Sequence, residues 1–442
     1  MRWSRCLCVF LGLVLVWLAG CTIYIGPYDG SAEGAGATTS VLPEPKEPRG
    51  EEAVLTEEQQ KRQEEADRYI ADVIYKGYSI LETTQGYSGD LIDWIDSDTL
   101  PELLSSLPEL PWSPEEVVLP EGVELAVSEL EKYPELLGPA GTTPFSRPDF
   151  SMYVMGDTGA TSVQDWLDHY QVHGSPQDHS RLYAGLTAVT PNRGVSGYVN
   201  QFMPSVEKGS LSLIELAVAC PAEGPPKEWV GVAISVDRAN FWGDPDPKPR
   251  LHAEYVREVG GKLEGVWDMN KPGFVPYRYR KHVLGKEVPV SQIGGMQVEH
   301  RIDIFQAISG DWWIAYQGSL IGYYPASLFT LLNQGGCSAH WYGEVSDPDL
   351  SDGWTKTDMG SKLFAEAGLL NAAYVRQPAF RDWDWYVLEV PARDAPKLLD
   401  VKPYKAACYS RSPLYEVAFP WGAMFFLGGD GFDAPGCTGP GP

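Results

Sequence analysis

Basic residues are scarce in this chain. Its 34 lysines and arginines stand against 60 aspartates and glutamates, a formal net charge of −26 over 442 residues. So acidic a surface repels a phosphate backbone, which argues against a nucleic-acid partner. Nucleotide and nucleophile signatures are missing too: there is no P-loop, no dinucleotide-binding glycine fingerprint and no G-x-S-x-G elbow. His169 and His173 stand four apart, with His179 beyond, but lack the glutamate of an H-E-x-x-H motif, so zinc chemistry is not expected. Asp347, Asp349 and Asp352 before Gly353 have the wrong spacing for an EF-hand and read as a solvated turn. After the N-terminus no apolar run is long enough to span a bilayer. No cofactor and no metal are expected, and no internal repeat is evident.

What is present begins with an export signal. Met1-Arg2-Trp3-Ser4-Arg5 is a charged start, and the chain then runs apolar from Leu7 to Leu18. Leu18-Ala19-Gly20-Cys21 looks like the lipobox of bacterial lipoproteins, in which the cysteine is lipidated and becomes the new N-terminus. The expectation is a signal over residues 1–20 and a lipid anchor at Cys21 in the cell envelope, on the outer membrane or cell surface; an ordinary signal peptide cut nearby is the alternative. Thr22 gives no sign of inner-membrane retention. Removing Cys6, Cys8 and Cys21 from the seven cysteines leaves Cys220, Cys337, Cys408 and Cys437. An even number in an oxidising compartment favours two disulfides.

Residues 21–55 are rich in Gly, Ala, Thr, Ser and Pro and read as a flexible tether. Thr56 with Gln59 three residues on is a helix start, followed by Ala66, Tyr69, Ile70, Val73 and Ile74 at helical spacing and by Gly77 as a stop. Thr83 to Ile95 reads as a hairpin, with turn residues between two strand-like runs. Residues 98–147 are Pro-, Glu- and Leu-rich, which suggests short helices and loops. From about Phe150 the pattern changes to runs of Val, Ile, Tyr, Phe and Trp between turn residues, such as Val230–Val236, Leu251–Val256 and His300–Phe305. The expected fold is all-β: an antiparallel β-sandwich over residues 148–442, preceded by a smaller, partly helical segment over 56–147.

Glu344 stands in Trp341-Tyr342-Gly343-Glu344-Val345, a setting that reads as a strand residue facing a cleft. Upstream lie Gly310-Asp311-Trp312-Trp313 and the run Ile321 to Phe329; downstream lie Thr357-Asp358-Met359-Gly360-Ser361 and Ala372-Ala373-Tyr374-Val375-Arg376. In this order these runs resemble the neprosin family over roughly residues 180–437. The resemblance implies a glutamic peptidase that cuts after proline at acidic pH, with two glutamates on a β-sandwich and a peptide or protein substrate. It matches Glu344 to one of the two. It pairs Cys408 with Cys437, while the bonding of Cys220 and Cys337 stays open. It also likens the hairpin near Tyr87 to the end of an activation segment, so that residues 56–147 are either removed on activation or kept as a permanent brace.

Two carboxyl groups hydrolyse a peptide when one is ionised and takes a proton from water while the other is protonated and donates. The family's first glutamate lies in a strand of pattern Ile-Glu-Ala-Gly-Trp before a Tyr-Gly-Asp turn. Here Phe241-Trp242-Gly243-Asp244 looks like that turn, and the strand before it, Trp229–Val236, presents Gly231, Ala233 and Ser235 inward. No glutamate stands there. Glu215, in Ser212-Leu213-Ile214-Glu215-Leu216-Ala217, is the leading substitute, because its strand should pair beside the one carrying Gly231. Glu254 is a second candidate, and Glu228 has the wrong strand parity. The paired cysteines of a family loop are replaced by Val266-Trp267-Asp268 and Lys271. Tyr323, Tyr324, Trp341 and Tyr342 are candidate cleft aromatics against which proline rings could stack. The leading expectation is an acid endopeptidase using Glu344 and Glu215. The alternative is a catalytically degenerate sandwich that binds peptide or glycan at the cell surface.

Overall fold

Thr56 and Gln59 cap the first helix reciprocally. The Gln59 N–H donates to Thr56 Oγ1 at 3.3 Å, and the Thr56 N–H donates to Gln59 Oε1 at 2.9 Å. In the computed structural model, residues 55–102, 108, 110, 117–156, 159–170, 181–222, 224–237, 248–278, 280–346, 355–384, 386–390, 398–401 and 405–437 are described. The expectations for the signal, Cys21 and the tether, for Phe241 to Asp244, for the aspartates from Asp347 to Asp352 and for the side chains of His169, His173 and His179 lie outside the described residues.

Helix α1 (Glu57–Tyr69) runs into a π turn at Ile70–Ile74 and stops before Gly77, whose φ of +85° suits a residue without a Cβ. Ala66, Ile70 and Ile74 are buried, whereas Val73 is exposed because the wider π turn takes it off the stripe. Strands β1 (Ile80–Gln85) and β2 (Leu91–Asp96) form the expected hairpin. The next stretch holds two strands as well as short helices. These are β3 (Val123–Leu125), which runs parallel to a sandwich strand, and β4 (Thr142–Ser146), which pairs with β2 on either side of helix α2 (Glu129–Lys132) in the chain. At three and five residues they are too short to show a period in sequence. The change of pattern at Phe150 leads first into two helices, α3 (Ser151–Met155) and α4 (Val163–Tyr170), and only then into the sandwich. Tyr153, Val163, Trp166 and Leu167 are apolar because these helices pack on the core.

The sandwich strands are β5 (Arg181–Ala188), β6 (Gly194–Asn200), β7 (Leu211–Cys220), β8 (Glu228–Asp237), β9 (Arg250–Val259), β10 (Lys262–Trp267) and β11 (Val275–Pro276). They continue as β12 (Gln297–Gln306), β13 (Trp312–Tyr316), β14 (Ser319–Tyr324), β15 (Ser338–Ser346), β16 (Ala373–Arg381) and β17 (Val387–Glu389). The last are β18 (Leu398–Asp400), β19 (Ser410–Arg411), β20 (Tyr415–Val417) and β21 (Gly422–Gly428). One sheet runs β10-β9-β8-β7-β15-β5-β18. The other runs β11-β14-β13-β12-β6-β16-β21-β19, with β17, β20 and β3 added at its margins. Apart from β3 on β12, every strand pair in the two sheets is antiparallel.

The two-residue alternation of strands fills the space between the sheets. Ile214, Leu216 and Val218 of β7, and Val230, Val232 and Ile234 of β8, meet Val199, Ile302, Ile314 and Val375 of the facing sheet in one buried cluster. Two disulfides tie the margins. Cys220–Cys337 joins the end of β7 to the loop entering β15, and Cys408–Cys437 secures the C-terminal segment. The N-terminal segment is built into the sandwich by named contacts. Thr143 Oγ1 donates to the Arg278 carbonyl at 2.7 Å, Arg280 donates to the Pro144 carbonyl through Nε at 2.9 Å, and its guanidinium lies 4.2 Å from the centre of the Phe145 ring.

Candidate functional site

The face of the seven-stranded sheet turned away from the core carries the candidate carboxyl groups. Alternation puts Leu213, Glu215 and Ala217 of β7 on that face, with Gly231, Ala233 and Ser235 of β8, His252 and Glu254 of β9, and Tyr342 and Glu344 of β15. Glu215 lies directly between Tyr342 on one side and Ala233 on the other. Glu344 is opposite Leu213, one step along the same face, so Glu215 and Glu344 stand on a diagonal of adjacent strands. Gly231 faces Ala217 on one side and Glu254 on the other. Three glutamates from three strands therefore converge, and β8 contributes none. Glu215, Glu254 and Glu344 are 1 %, 4 % and 3 % exposed, so each needs a partner.

Those partners are specific. The Tyr342 hydroxyl donates to Glu215 Oε2 at 2.5 Å. The Trp229 indole N–H donates to Glu254 Oε1 at 2.5 Å. Glu344 forms a buried ion pair with Arg181 of β5. Tyr183 packs edge-on against Tyr342 with ring centres 5.5 Å apart. Burial pushes the Glu215 carboxyl well above its usual range, and the charges of Glu254 and Glu344 add to that while the Tyr342 hydroxyl opposes it. Burial likewise pushes Glu254 up to about 7, with Glu344 adding and the Trp229 N–H opposing. Acids raised in this way hold their protons into the neutral range, as a general acid requires.

The other candidates fall elsewhere. Glu228 has the opposite parity, as expected. It accepts the backbone N–H groups of Thr330, Leu331 and Leu332 at 2.8, 2.8 and 2.9 Å and so anchors the loop that follows β14. Of the four candidate cleft aromatics, Tyr342 alone shares the face of Glu344. Trp341, its neighbour, points the other way into the core and donates to the Ser196 carbonyl at 2.9 Å. Tyr324 is in the core beside Tyr255 and Phe274. Tyr323 lies on the outside of the second sheet against Trp313, with ring centres 4.7 Å apart. Consecutive aromatics on a strand cannot line one cleft, because their side chains alternate. Arg181 and Trp229 were not singled out in the sequence. Trp229 was within reach of the same parity argument as Gly231, two residues on. Asp268 stands where the family loop has a cysteine pair nearby. Its carboxylate binds His252 Nδ1 at 2.7 Å and accepts the Ala253 N–H at 2.9 Å, so a polar clasp holds this turn.

An antiparallel sandwich that buries several carboxyl groups together on the outer face of one sheet has the make-up of a glutamic-type peptidase. The family model for Neprosin matches residues 208–430, half of the chain, and the protein belongs to the neprosin family. Among solved structures, the chain is similar to scytalido-glutamic peptidase with a transition-state analogue inhibitor. The identity is 8 %, with 56 % of this chain and 97 % of that chain covered and a TM-score of 0.30. It is also similar to a member of the eqolisin family of peptidases in complex with the tripeptide Ala-Ile-His, at 8 % identity, 56 % and 96 % coverage and a TM-score of 0.29. A third is a family 16 glycoside hydrolase endo-glucanase from Bacteroides ovatus, at 8 % identity, 37 % and 66 % coverage and a TM-score of 0.23.

Proposed function

We propose that this protein is an acid endopeptidase of the glutamic type that cleaves at proline, exported and held at the bacterial cell envelope by lipid on Cys21. The observation that carries the peptidase reading is the diagonal of Glu344 and Glu215 on adjacent strands of one face, with Tyr342 bonded to Glu215 between them. In this reading Glu344, ion-paired to Arg181, takes a proton from water as the water oxygen bonds to the peptide carbonyl carbon. Glu215 gives its proton to the amide nitrogen as the carbon–nitrogen bond breaks. Water is the nucleophile, and one proton is gained and one lost by the two carboxyls in each turnover.

The test is a proteolysis assay on an unfolded, proline-containing substrate between about pH 3 and pH 8, with Glu344→Gln and Glu215→Gln beside the unaltered protein. Each change is expected to lower kcat by roughly 10²–10⁴. Unchanged cleavage by Glu344→Gln would sink the proposal. A second reading has its own support: β8 presents Gly231, Ala233 and Ser235 on this face and no glutamate, and Glu344 is engaged by a guanidinium. In that reading the sandwich binds peptide or glycan without cutting. It is favoured if the folded protein retains a peptide at every pH and releases no products.

A further inference from the structure

We propose that Gly231 is a slot in which Glu215 and Glu254, reaching in from the strands on either side, share a proton across β8, and that Glu254 is thereby a positioning residue that keeps Glu215 in its acid form. Its consequence for catalysis rests on the peptidase reading above; the shared proton itself does not.

The geometry is that of a missing side chain replaced from both flanks. A Cβ built on Gly231 would overlap Glu215 Oε1 and come within 3.3 Å of Glu254 Cγ. The space that any residue but glycine would occupy is thus filled by the two carboxyl-bearing side chains. Tyr342 takes the second oxygen of Glu215, and Trp229 takes one oxygen of Glu254, so both carboxyls are oriented. Glu215 Oε1, aimed into the slot, is buried and receives no N–H or O–H donor from any other residue. A buried carboxylate oxygen left bare is costly. Facing another carboxyl it is relieved when one of the two carries a proton and makes an O–H···O bond to the other.

The surrounding charges fit such a bond. On β15, Glu344 repels a second ionised carboxyl, and Arg181 on β5 is committed to Glu344. Tyr342 and Tyr183 are held neutral well beyond the usual tyrosine range by burial and these carboxylates. On β9, His252 is bound to Asp268 and Arg250 to Asp90. Among the described residues Arg181 is the cation whose charge reaches Glu254, which it lowers slightly, and its guanidinium is paired with Glu344. Burial raises both acids; at Glu215 the charge of Glu254 and a hydrogen bond with it add to the rise, while at Glu254, pushed up to about 7, Glu344 adds and the hydrogen bond with Glu215 opposes. The pair accordingly carries two protons in acid and one through neutral pH. During hydrolysis the Glu215 O–H breaks as the amine N–H forms. A proton then passes from Glu254 to Glu215, solvent returns one to Glu254, and Glu344 releases to solvent the proton it took from water, so the three carboxyls end each turnover as they began.

Infrared-monitored pH titration tests this on the folded protein without relying on activity. At about pH 8 ordinary carboxyls are ionised. The unaltered protein is expected to keep a protonated-carboxyl C=O band there. Glu215→Gln should abolish that band. Glu254→Gln and Gly231→Ala should each move its titration down by about one pH unit or more, the first by removing the partner charge and the second by prising the pair apart. The proposal is overturned if the band is missing, or if it is indifferent to both Glu254→Gln and Gly231→Ala. If Glu215→Gln fails to fold, those two variants still decide the matter. Proteolysis gives the catalytic arm. Glu254→Gln should shift the alkaline limb of the pH profile down by the same amount and lower kcat more than it alters KM. Restoring an acid to β8 in the double variant Glu215→Ala, Gly231→Glu should recover cleavage lost in Glu215→Ala. An intact infrared signature with no cleavage at any pH refutes the peptidase reading and leaves the shared proton standing. Cleavage with no such signature refutes the shared proton alone.

Discussion

Asp90, at the tip of the N-terminal hairpin, grips Arg250 with both oxygens, Oδ2 to Nη1 at 2.6 Å and Oδ1 to Nη2 at 3.1 Å. Arg250 stands on β9 opposite Ser235, on the same sheet face as the three glutamates. Lys286 adds a contact to Asp90 at 3.2 Å and Ser88 another to Lys286 at 2.9 Å, so the hairpin tip is latched to the sheet that carries the site. Burial alone would raise the Asp90 carboxyl, but the charges of Arg250 and Lys286 outweigh it and hold the group well below the usual carboxylate range. A depressed folded pKa contributes stability that is present above the unfolded value, near about 4, and is lost only as pH falls through the lower folded value. The latch is therefore expected to survive mild acid. Asp90→Asn should weaken docking of the hairpin by about 1–3 kcal/mol. Hydrogen exchange of residues 86–96 measures this, and exchange equally slow in the variant would show that the ion pair is not what holds the hairpin.

The Arg181–Glu344 pair makes a prediction about stability that differs from one about catalysis. Both side chains are buried, at 4 % and 3 % exposure. Arg181→Gln leaves the Glu344 charge without its guanidinium, at a cost of roughly 3–5 kcal/mol near neutral pH. The double variant with Glu344→Gln should regain much of the loss, because no unpaired charge is then left buried. Urea midpoints of Arg181→Gln and of the double variant check this, and an equal deficit in both would mean that Arg181 acts through packing.

What could be read from sequence was whatever a strand or helix states locally. Thr56 and Gln59 are three residues apart, and their capping box formed as read. The alternation of β8, and with it the off-face parity of Glu228, followed from a period of two. Adjacency of the Glu215 strand to that of Gly231 was correctly expected, since β7 and β8 are consecutive and pair in full register. The same alternation assigns Trp341 and Tyr342 to opposite faces, so aromatic neighbours on one strand do not share a cleft. Arg181 was out of reach because 163 residues separate it from Glu344, and only the pairing of β5 with β15 joins them. The convergence of Glu254 on Gly231 likewise depends on the β8–β9 register, which a sequence does not print.

Two of the family-like runs meet at one contact. A Cβ on Gly343 would lie 2.7 Å from Met359 Sδ and 3.0 Å from Leu427 Cδ1. The glycine next to Glu344 is thus required by the methionine of Thr357-Asp358-Met359-Gly360. Gly343→Ala should cost about 1–3 kcal/mol by overpacking. Adding Met359→Ala should recover part of that loss, because the second change opens the space the first one fills. Thermal melts of the two single variants and the double variant decide it. Strict additivity would place the strain elsewhere.

The pH dependence of stability should run opposite to that of an ordinary acidic protein. Asp358 accepts the Ser205 N–H at 3.1 Å and faces Asp430, which is paired with Lys362 at 2.9 Å. Burial, with help from Asp430, pushes Asp358 up to about 7 against the opposing Ser205 N–H and Lys362. Glu215 and Glu254 are raised in the same direction. For an acid whose folded pKa lies above its unfolded one, the folded state keeps a proton that the unfolded chain has released. Each such group then lowers stability by up to about 1.4 kcal/mol per pH unit between the unfolded value near about 4 and the folded value, and adds no further slope beyond it. The denaturation midpoint is therefore expected to fall from about pH 5 to about pH 8. Asp358→Asn keeps an acceptor for Ser205 and can donate to Asp430 without ionising, so it should flatten that fall by roughly 1–3 kcal/mol while leaving the remainder to the glutamates. Guanidinium titrations of both proteins across this range measure the difference. Parallel curves would show that the Asp358–Asp430 contact is not a proton-bearing one.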